Sequence, residues 1–153
     1  MTEDAVDKAM EHLLASWKSG DRSLESIEAL LADDVVATDW LLPERELNKQ
    51  DLMKEFYAPI LESFPDVSFE VFDTMRDGNR LLVCGIFSGT LAGDHALYDT
   101  DFAAHNKRVR WEARDIYRFR GDKIDRIWFA NDTLAVAREM GAPVEDFRLE
   151  AGA

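Results

Sequence analysis

The spacing of apolar residues changes abruptly at Phe64-Pro65-Asp66. Before that point they recur at intervals of three and four, the period of a helix face; after it they alternate, the period of a strand with one buried side. Helices first and a meander of strands after point to an α+β domain, with the helices gathered on one face of a curved antiparallel sheet of about five to six strands. With 153 residues, one domain over residues 1–153 can bury roughly two-thirds of its unfolded surface and hold a pocket without staples.

Val6, Met10, Leu13, Leu14 and Trp17 form one helical stripe, which predicts a helix from near Thr2 to Gly20. A short helix follows, capped by Ser23 or Asp21 and showing Leu24, Ile27, Leu30 and Leu31 on one side. Val35 to Leu42 reads as a strand, with Asp39 in the same alternating set as Val35 and Ala37. Asn48 is a suitable N-cap for a third helix through Leu52, Phe56, Ile60 and Leu61, which Pro59 should kink or split.

In the second half, Ser68–Met75 and Arg80–Thr90 flank Asp77-Gly78, and Val109–Phe119 and Lys123–Asn131 flank Gly121-Asp122; both read as hairpins. Leu91 to Lys107 reads as a long loop of the kind that covers pockets. Thr133 can cap a last short helix stopped by Gly141 and Pro143.

Formal charge is −13, from 31 acidic and 18 basic residues. Such a field repels nucleic acid and anionic membranes, so neither is an expected partner. The first ten residues carry acids where a signal peptide would have basic and apolar runs, which predicts a cytoplasmic protein. One cysteine, Cys84, lies in an apolar strand pattern and is expected to be a buried small hydrophobe. His12, His95 and His105 lack the spacing of a metal site, and no phosphate loop, nucleophile elbow or Cys/His signature is present. That leaves acid–base chemistry in a pocket, without metal or cofactor, or plain binding of a hydrophobic small molecule.

The second hairpin sets a register. With Gly121 and Asp122 as the two loop residues, Tyr117 faces Arg126, Asp115 faces Trp128 and Trp111 faces Asp132, all on one side of the sheet. The other side carries Arg110, Glu112, Arg114, Arg118, Asp125 and Ile127, so the aromatic side is the inner one. A carboxylate there loses hydration and has its pKa raised, which suits general acid–base work near neutral pH. Asp132 fits that description, although it also stands where an N-cap of the last helix would stand. Asp115 could instead pair inward with Arg126, and Asp39 is either a rim residue or a second pocket carboxylate. Trp40, Tyr57 and Phe87 join Trp111, Tyr117 and Trp128 as candidates for the pocket wall, and His105 as an assisting group.

The chain also resembles the SnoaL-like polyketide cyclases of the nuclear transport factor 2-like superfamily. The resemblance runs through Phe64-Pro65-Asp66, Gly89-Thr90, Gly121-Asp122-Lys123-Ile124, Trp128 with Asp132 four residues on, and Met140-Gly141. It implies a cone-shaped α+β barrel with the pocket inside, a homodimer formed through the sheet, and an Asp on the last strand that closes a ring by an intramolecular aldol step without metal or cofactor. That role would fall on Asp132. Many members read G-T-H-x-G where this chain has Gly89-Thr90-Leu91-Ala92-Gly93, and Ala103-Ala104-His105-Asn106-Lys107 replaces their P-T-G-K loop. The expected activity is therefore a cyclase or isomerase acting on a hydrophobic carbonyl compound. Two alternatives share the fold: a binding protein in which Asp132 only caps a helix, and a hydrolase or dehydratase with Asp39 as the second acid.

Overall fold

The computed structural model describes residues 3–19 and 23–143. Helix α1 spans Glu3–Ser19 and buries Ala9, Met10 and Leu13; the expected ends at Thr2 and Gly20 lie outside the described residues. Helix α2, Leu24–Leu30, is capped by Ser23, whose hydroxyl accepts from the Ser26 amide at 3.1 Å. The chain then enters β1, Leu31–Asp39, and turns back as β2, Leu42–Leu47. This replaces the single strand expected over Val35–Leu42. Pro43 and the charges of β2 suit an edge strand, because a proline cannot donate to a second neighbour.

Asn48 caps the next helical stretch through the Asp51 amide at 2.9 Å. One turn of α3, Lys49–Asp51, widens into a π-helical segment, Leu52–Tyr57, and returns to α4, Ala58–Ser63. The helical run is not split at Pro59: the proline has no amide to give the preceding turn, and α geometry resumes with Pro59 in its first turn.

The remaining strands are β3 (Ser68–Asp77), β4 (Arg80–Thr90), β5 (His95–Leu97), β6 (Thr100–Phe102), β7 (Arg108–Arg120) and β8 (Lys123–Phe129), followed by α5 (Thr133–Met140). Six strands form one curved sheet in the order β2-β1-β8-β7-β4-β3, and β5 and β6 pair separately. The sheet is mixed, since β1 runs parallel to β8 while its other pairs are antiparallel. The segment read as a loop over Leu91–Lys107 thus contains a small hairpin. Its strands of three residues carry no apolar run long enough to announce them.

Helices cover one face of the sheet. Val83, Ala113, Phe119, Ile124, Ile127 and Phe129 point into that core with Leu52 and Leu13. Gly85 is required there, because a Cβ would come within 2.3 Å of the Phe69 ring. That close approach lets Phe69 stack on Phe87 at 4.1 Å and meet Trp17 edge-on at 4.7 Å. Cys84 is buried, on the opposite side of β4 from that core. No helix among the described residues is long and apolar enough to cross a membrane.

Candidate functional site

The hairpin between β7 and β8 starts in the expected register, with Arg120 opposite Lys123 and Phe119 opposite Ile124. The next pair is Arg118 with Arg126, so one extra residue, Asp125, sits in β8 as a bulge. Asp125 holds the bulge by accepting two hydrogen bonds from Arg118, at 2.8 and 3.0 Å. Beyond it every β8 side chain faces the side opposite to the one expected, since side chains alternate with period two.

The bulge corrects several assignments. Ile127 and Phe129 point inward, while Trp128 and Arg126 lie on the outer face, where the Arg126 guanidinium sits 5.2 Å from the Trp128 ring. Arg126 pairs with Glu46 at 3.4 Å, not with Asp115. Asp132 is exposed and does not line the cavity; its carboxylate caps α5 by accepting from the Ala135 amide at 3.0 Å. Asn131 takes the inward position, where its Oδ1 accepts from Trp111 Nε1 at 3.2 Å.

Between helices and sheet lies a cavity of about 150 Å³. Its walls are largely aromatic and aliphatic, including Trp17, Phe56, Tyr57, Phe64, Phe87, Trp111 and Tyr117. Phe64, Trp111 and Phe87 form a continuous ladder, with ring centroids 5.6 and 5.3 Å apart. Among the polar residues of the lining, Asp39, His95, Tyr98 and Asp115 carry titratable groups beside this apolar surface.

Asp115 is 2% exposed. The unbroken alternation of β7 turns it inward with Trp111 and Tyr117, and an odd-numbered position on that strand has no other choice. Its Oδ1 accepts from the Ala130 amide at 3.0 Å, and its Oδ2 faces the Tyr117 hydroxyl at 3.5 Å. No cation among the described residues pairs with it. Burial pushes its pKa up to about 7, with the charge of Asp39 adding to the rise and the two hydrogen bonds opposing it. In turn, burial and the charge of Asp115 raise the Tyr57 and Tyr117 hydroxyls well above their ordinary values, so both stay neutral donors.

Asp39 lies at the end of β1, partly exposed. Its Oδ1 accepts from the Leu41 amide at 2.9 Å and its Oδ2 from the Tyr98 hydroxyl at 3.2 Å. Tyr98 comes from the turn of the β5–β6 hairpin, with φ of 54°. Burial and Asp39 push its pKa up to about 12. His95, on the same hairpin, contacts Ser63 Oγ through Nδ1 at 2.9 Å. The Ser63 hydroxyl donates to the Asp94 carbonyl at 3.0 Å, and the imidazole also interacts with the Pro59 carbonyl. Burial lowers the His95 pKa and keeps the ring neutral.

Of the residues expected at the pocket, Asp39, Tyr57, Phe87, Trp111, Asp115 and Tyr117 line it. Trp40 is 59% exposed at the β1–β2 turn, where its Nε1 donates to the Asn131 carbonyl. His105 is held away from the cavity by its Nε2 contact with the Glu139 carbonyl at 3.0 Å and by the Lys107 amide. Tyr98 and Asn131 belong to the site and were not anticipated. The spacing of Ile124, Ile127 and Phe129 was the available signal for Asn131, because three apolar residues at those positions share a face only if one residue is bulged out.

A family model described as SnoaL-like polyketide cyclase matches residues 7–140. No curated protein matches the chain in sequence. Solved structures share its fold. AclR from Streptomyces galilaeus, which carries a provisional hydroxylase description, is 20% identical over 93% of this chain and 89% of its own, with a TM-score of 0.75. TsrD from Streptomyces laurentii is 20% identical over 94% and 99%, with a TM-score of 0.69. A SnoaL-like polyketide cyclase from Agrobacterium tumefaciens is 21% identical over 87% and 98%, with a TM-score of 0.64.

Proposed function

Because the chain belongs to the SnoaL-like polyketide cyclase family, we propose that it is a cyclase or isomerase of a hydrophobic carbonyl compound, with Asp115 as its general base and acid. The observation that carries this reading is the burial of one carboxylate, without a cationic partner among the described residues, on the wall of an otherwise apolar cavity. Its proton affinity near neutrality supports the same reading, since a base is most useful when its pKa lies close to the working pH.

In the proposed step the Asp115 carboxylate takes a proton from the carbon beside a carbonyl, and the C–H electron pair passes into an enolate. The Tyr57 hydroxyl, neutral and in the same lining, donates a hydrogen bond to the enolate oxygen. For a cyclase, the enolate carbon then attacks a second carbonyl of the same molecule, forming a C–C bond. The π pair of that carbonyl moves to its oxygen, and Asp115 returns the proton to the alkoxide. For an isomerase, the proton returns to a different carbon. Neither course changes the net proton count or needs an oxidant.

Deuterium exchange tests the proposal without a known substrate. A panel of hydrophobic ketones and diketones incubated in D₂O should exchange their α-protons faster with the protein than without it, and Asp115→Asn should abolish the acceleration. No acceleration for any member of the panel, or equal acceleration by Asp115→Asn, would sink the assignment.

The outer face of the sheet supports a second part of the reading, that two chains pair there. Ile116 (36% exposed) lies on it opposite Trp128, and Met75 (61%) lies in the same row two strands further, across Leu82.

A further inference from the structure

We propose that the mouth of the cavity carries a second binding subsite, an apolar shelf of Trp40, Leu41, Tyr98 and Leu134 that holds the unreactive part of the substrate. The proposal rests on the reading of Asp115 as the reacting group, and it adds the shape of the molecule: a ring-sized carbonyl end with an extended apolar remainder.

The first observation is volume. The cavity, of about 150 Å³, is the size that accommodates one benzene-sized ring. A larger hydrophobic compound that places a carbonyl near Asp115 must leave part of itself outside.

The second observation is what surrounds the exit. Asp39, Tyr98, Asn131 and Thr133 line the cavity and are partly exposed, so it reaches solvent beside them, as it also does beside Ser26, Ile27, Leu30 and Leu61 on the helical side. They are tied into one closed circuit. Tyr98 donates to Asp39 at 3.2 Å and also reaches the Thr133 side chain. Thr133 Oγ1 lies 3.4 Å from the Asn131 carbonyl, and its single proton serves either that carbonyl or the Tyr98 oxygen; Trp40 Nε1 donates to the same carbonyl at 3.2 Å. Trp40 follows Asp39 in the chain, which closes the circuit.

The third observation is that this polar frame holds its apolar surfaces outward. Trp40 is 59% exposed, Leu41 39%, Tyr98 44% and Leu134 44%. The polar groups of the two aromatic side chains are already engaged, the indole N–H with Asn131 and the Tyr98 hydroxyl with Asp39, and the Leu41 amide is held by Asp39 as well. Large apolar side chains grouped at a cavity mouth mark a binding surface more often than scattered ones do. Tyr98 belongs both to the patch and to the cavity wall, and Leu134 follows the lining residue Thr133, so the occupant is the rest of the molecule bound inside.

Alkyl phenyl ketones of increasing chain length, from acetophenone to octanophenone, test this by calorimetric titration. Wild-type affinity should rise with each methylene, by up to the roughly fourfold that full burial of a methylene supplies. The double variant Leu41→Ser, Leu134→Ser, at exposed positions outside the core, should bind acetophenone unchanged and lose most of the chain-length dependence. Tyr98→Phe, which keeps the ring, should retain it. The proposal is overturned if the double variant keeps the full increments, if acetophenone affinity falls in parallel, or if no ketone binds. It is equally overturned if the double variant shifts the sedimentation coefficient, which would make the shelf a subunit contact, or if zwitterionic phospholipid vesicles bind wild type but not the double variant. Any failure confined to the double variant leaves the exchange assay on Asp115 unaffected, since acetophenone needs only the inner cavity, whereas a protein that binds no ketone would fail the exchange assay too.

Discussion

The indole Nε1 of Trp111 donates to Oδ1 of Asn131 at 3.2 Å, in the place where an unbroken β7–β8 ladder would set Asp132. One extra residue in β8, Asp125, exchanges the two side chains between cavity and solvent. The carboxylate that remains inside is Asp115, fixed by β7, which has no bulge between Trp111 and Tyr117.

Asp132 should therefore behave as a helix cap. Asp132→Ala removes the acceptor for the Ala135 amide and should cost about 1 kcal/mol of stability in urea denaturation. Deuterium exchange per folded molecule should stay at the wild-type rate, and Asp132→Asn should restore the stability. A loss of exchange with no loss of stability would return the catalytic role to Asp132.

Asp115 should carry opposing effects on activity and stability. Its pKa is raised to about 7 in the fold from 3.8, so the folded state holds this proton over a range in which the unfolded state has released it. The buried charge thus costs nothing below the unfolded value, costs more as pH rises between the two values, and reaches its full cost above about 7. A gap of about three pH units corresponds to about 4 kcal/mol. Asp115→Asn should raise the melting temperature at pH 8 relative to wild type while abolishing exchange, with the advantage shrinking toward pH 4. An equal or lower melting temperature at pH 8 would show that Asp115 is not buried as an uncompensated charge.

The same residues show how far the sequence alone carries the fold and the site. The alternation of β7 is complete, so the inward placement of Trp111, Asp115 and Tyr117 could be read directly. The hairpin at Gly121-Asp122 could be read from its turn residues, and Gly121 takes the positive φ, 64°, that such a turn asks of a glycine. Register is a cumulative property, however, and a single bulge spoils every assignment beyond it. The β5–β6 hairpin and β2 were hidden for another reason: their residues are short or charged, and their strand conformation comes from pairing partners that local pattern does not reveal.

Asp39 should adjust the pH at which Asp115 works, on top of the larger effect of burial. Its charge adds to the rise in the Asp115 pKa, so neutralising it should lower that pKa. The deprotonated base then appears at lower pH, and the rising limb of the pH–exchange profile should move toward acid in Asp39→Asn. The amide oxygen can still accept from the Leu41 amide or the Tyr98 hydroxyl, so the turn should keep its shape. A profile that loses height without moving along the pH axis would mean that Asp39 acts only on the shape of the cavity mouth.

Pairing through the outer sheet face can be separated from catalysis. Ile116 lies on β7 directly opposite Trp128 of β8, and the Arg80 and Arg126 guanidiniums approach the Trp128 ring at 5.9 and 5.2 Å. An apolar centre with charged residues around it can meet a second copy of itself about a two-fold axis, where Ile116 of each chain would be shielded. Sedimentation equilibrium should give twice the chain mass of 17.4 kDa. Ile116→Asp places a charge that would lose its hydration on pairing, and should give the single-chain mass with the far-ultraviolet spectrum unchanged. Wild type at the single-chain mass, or Ile116→Asp still at twice it, would rule out this face as the contact.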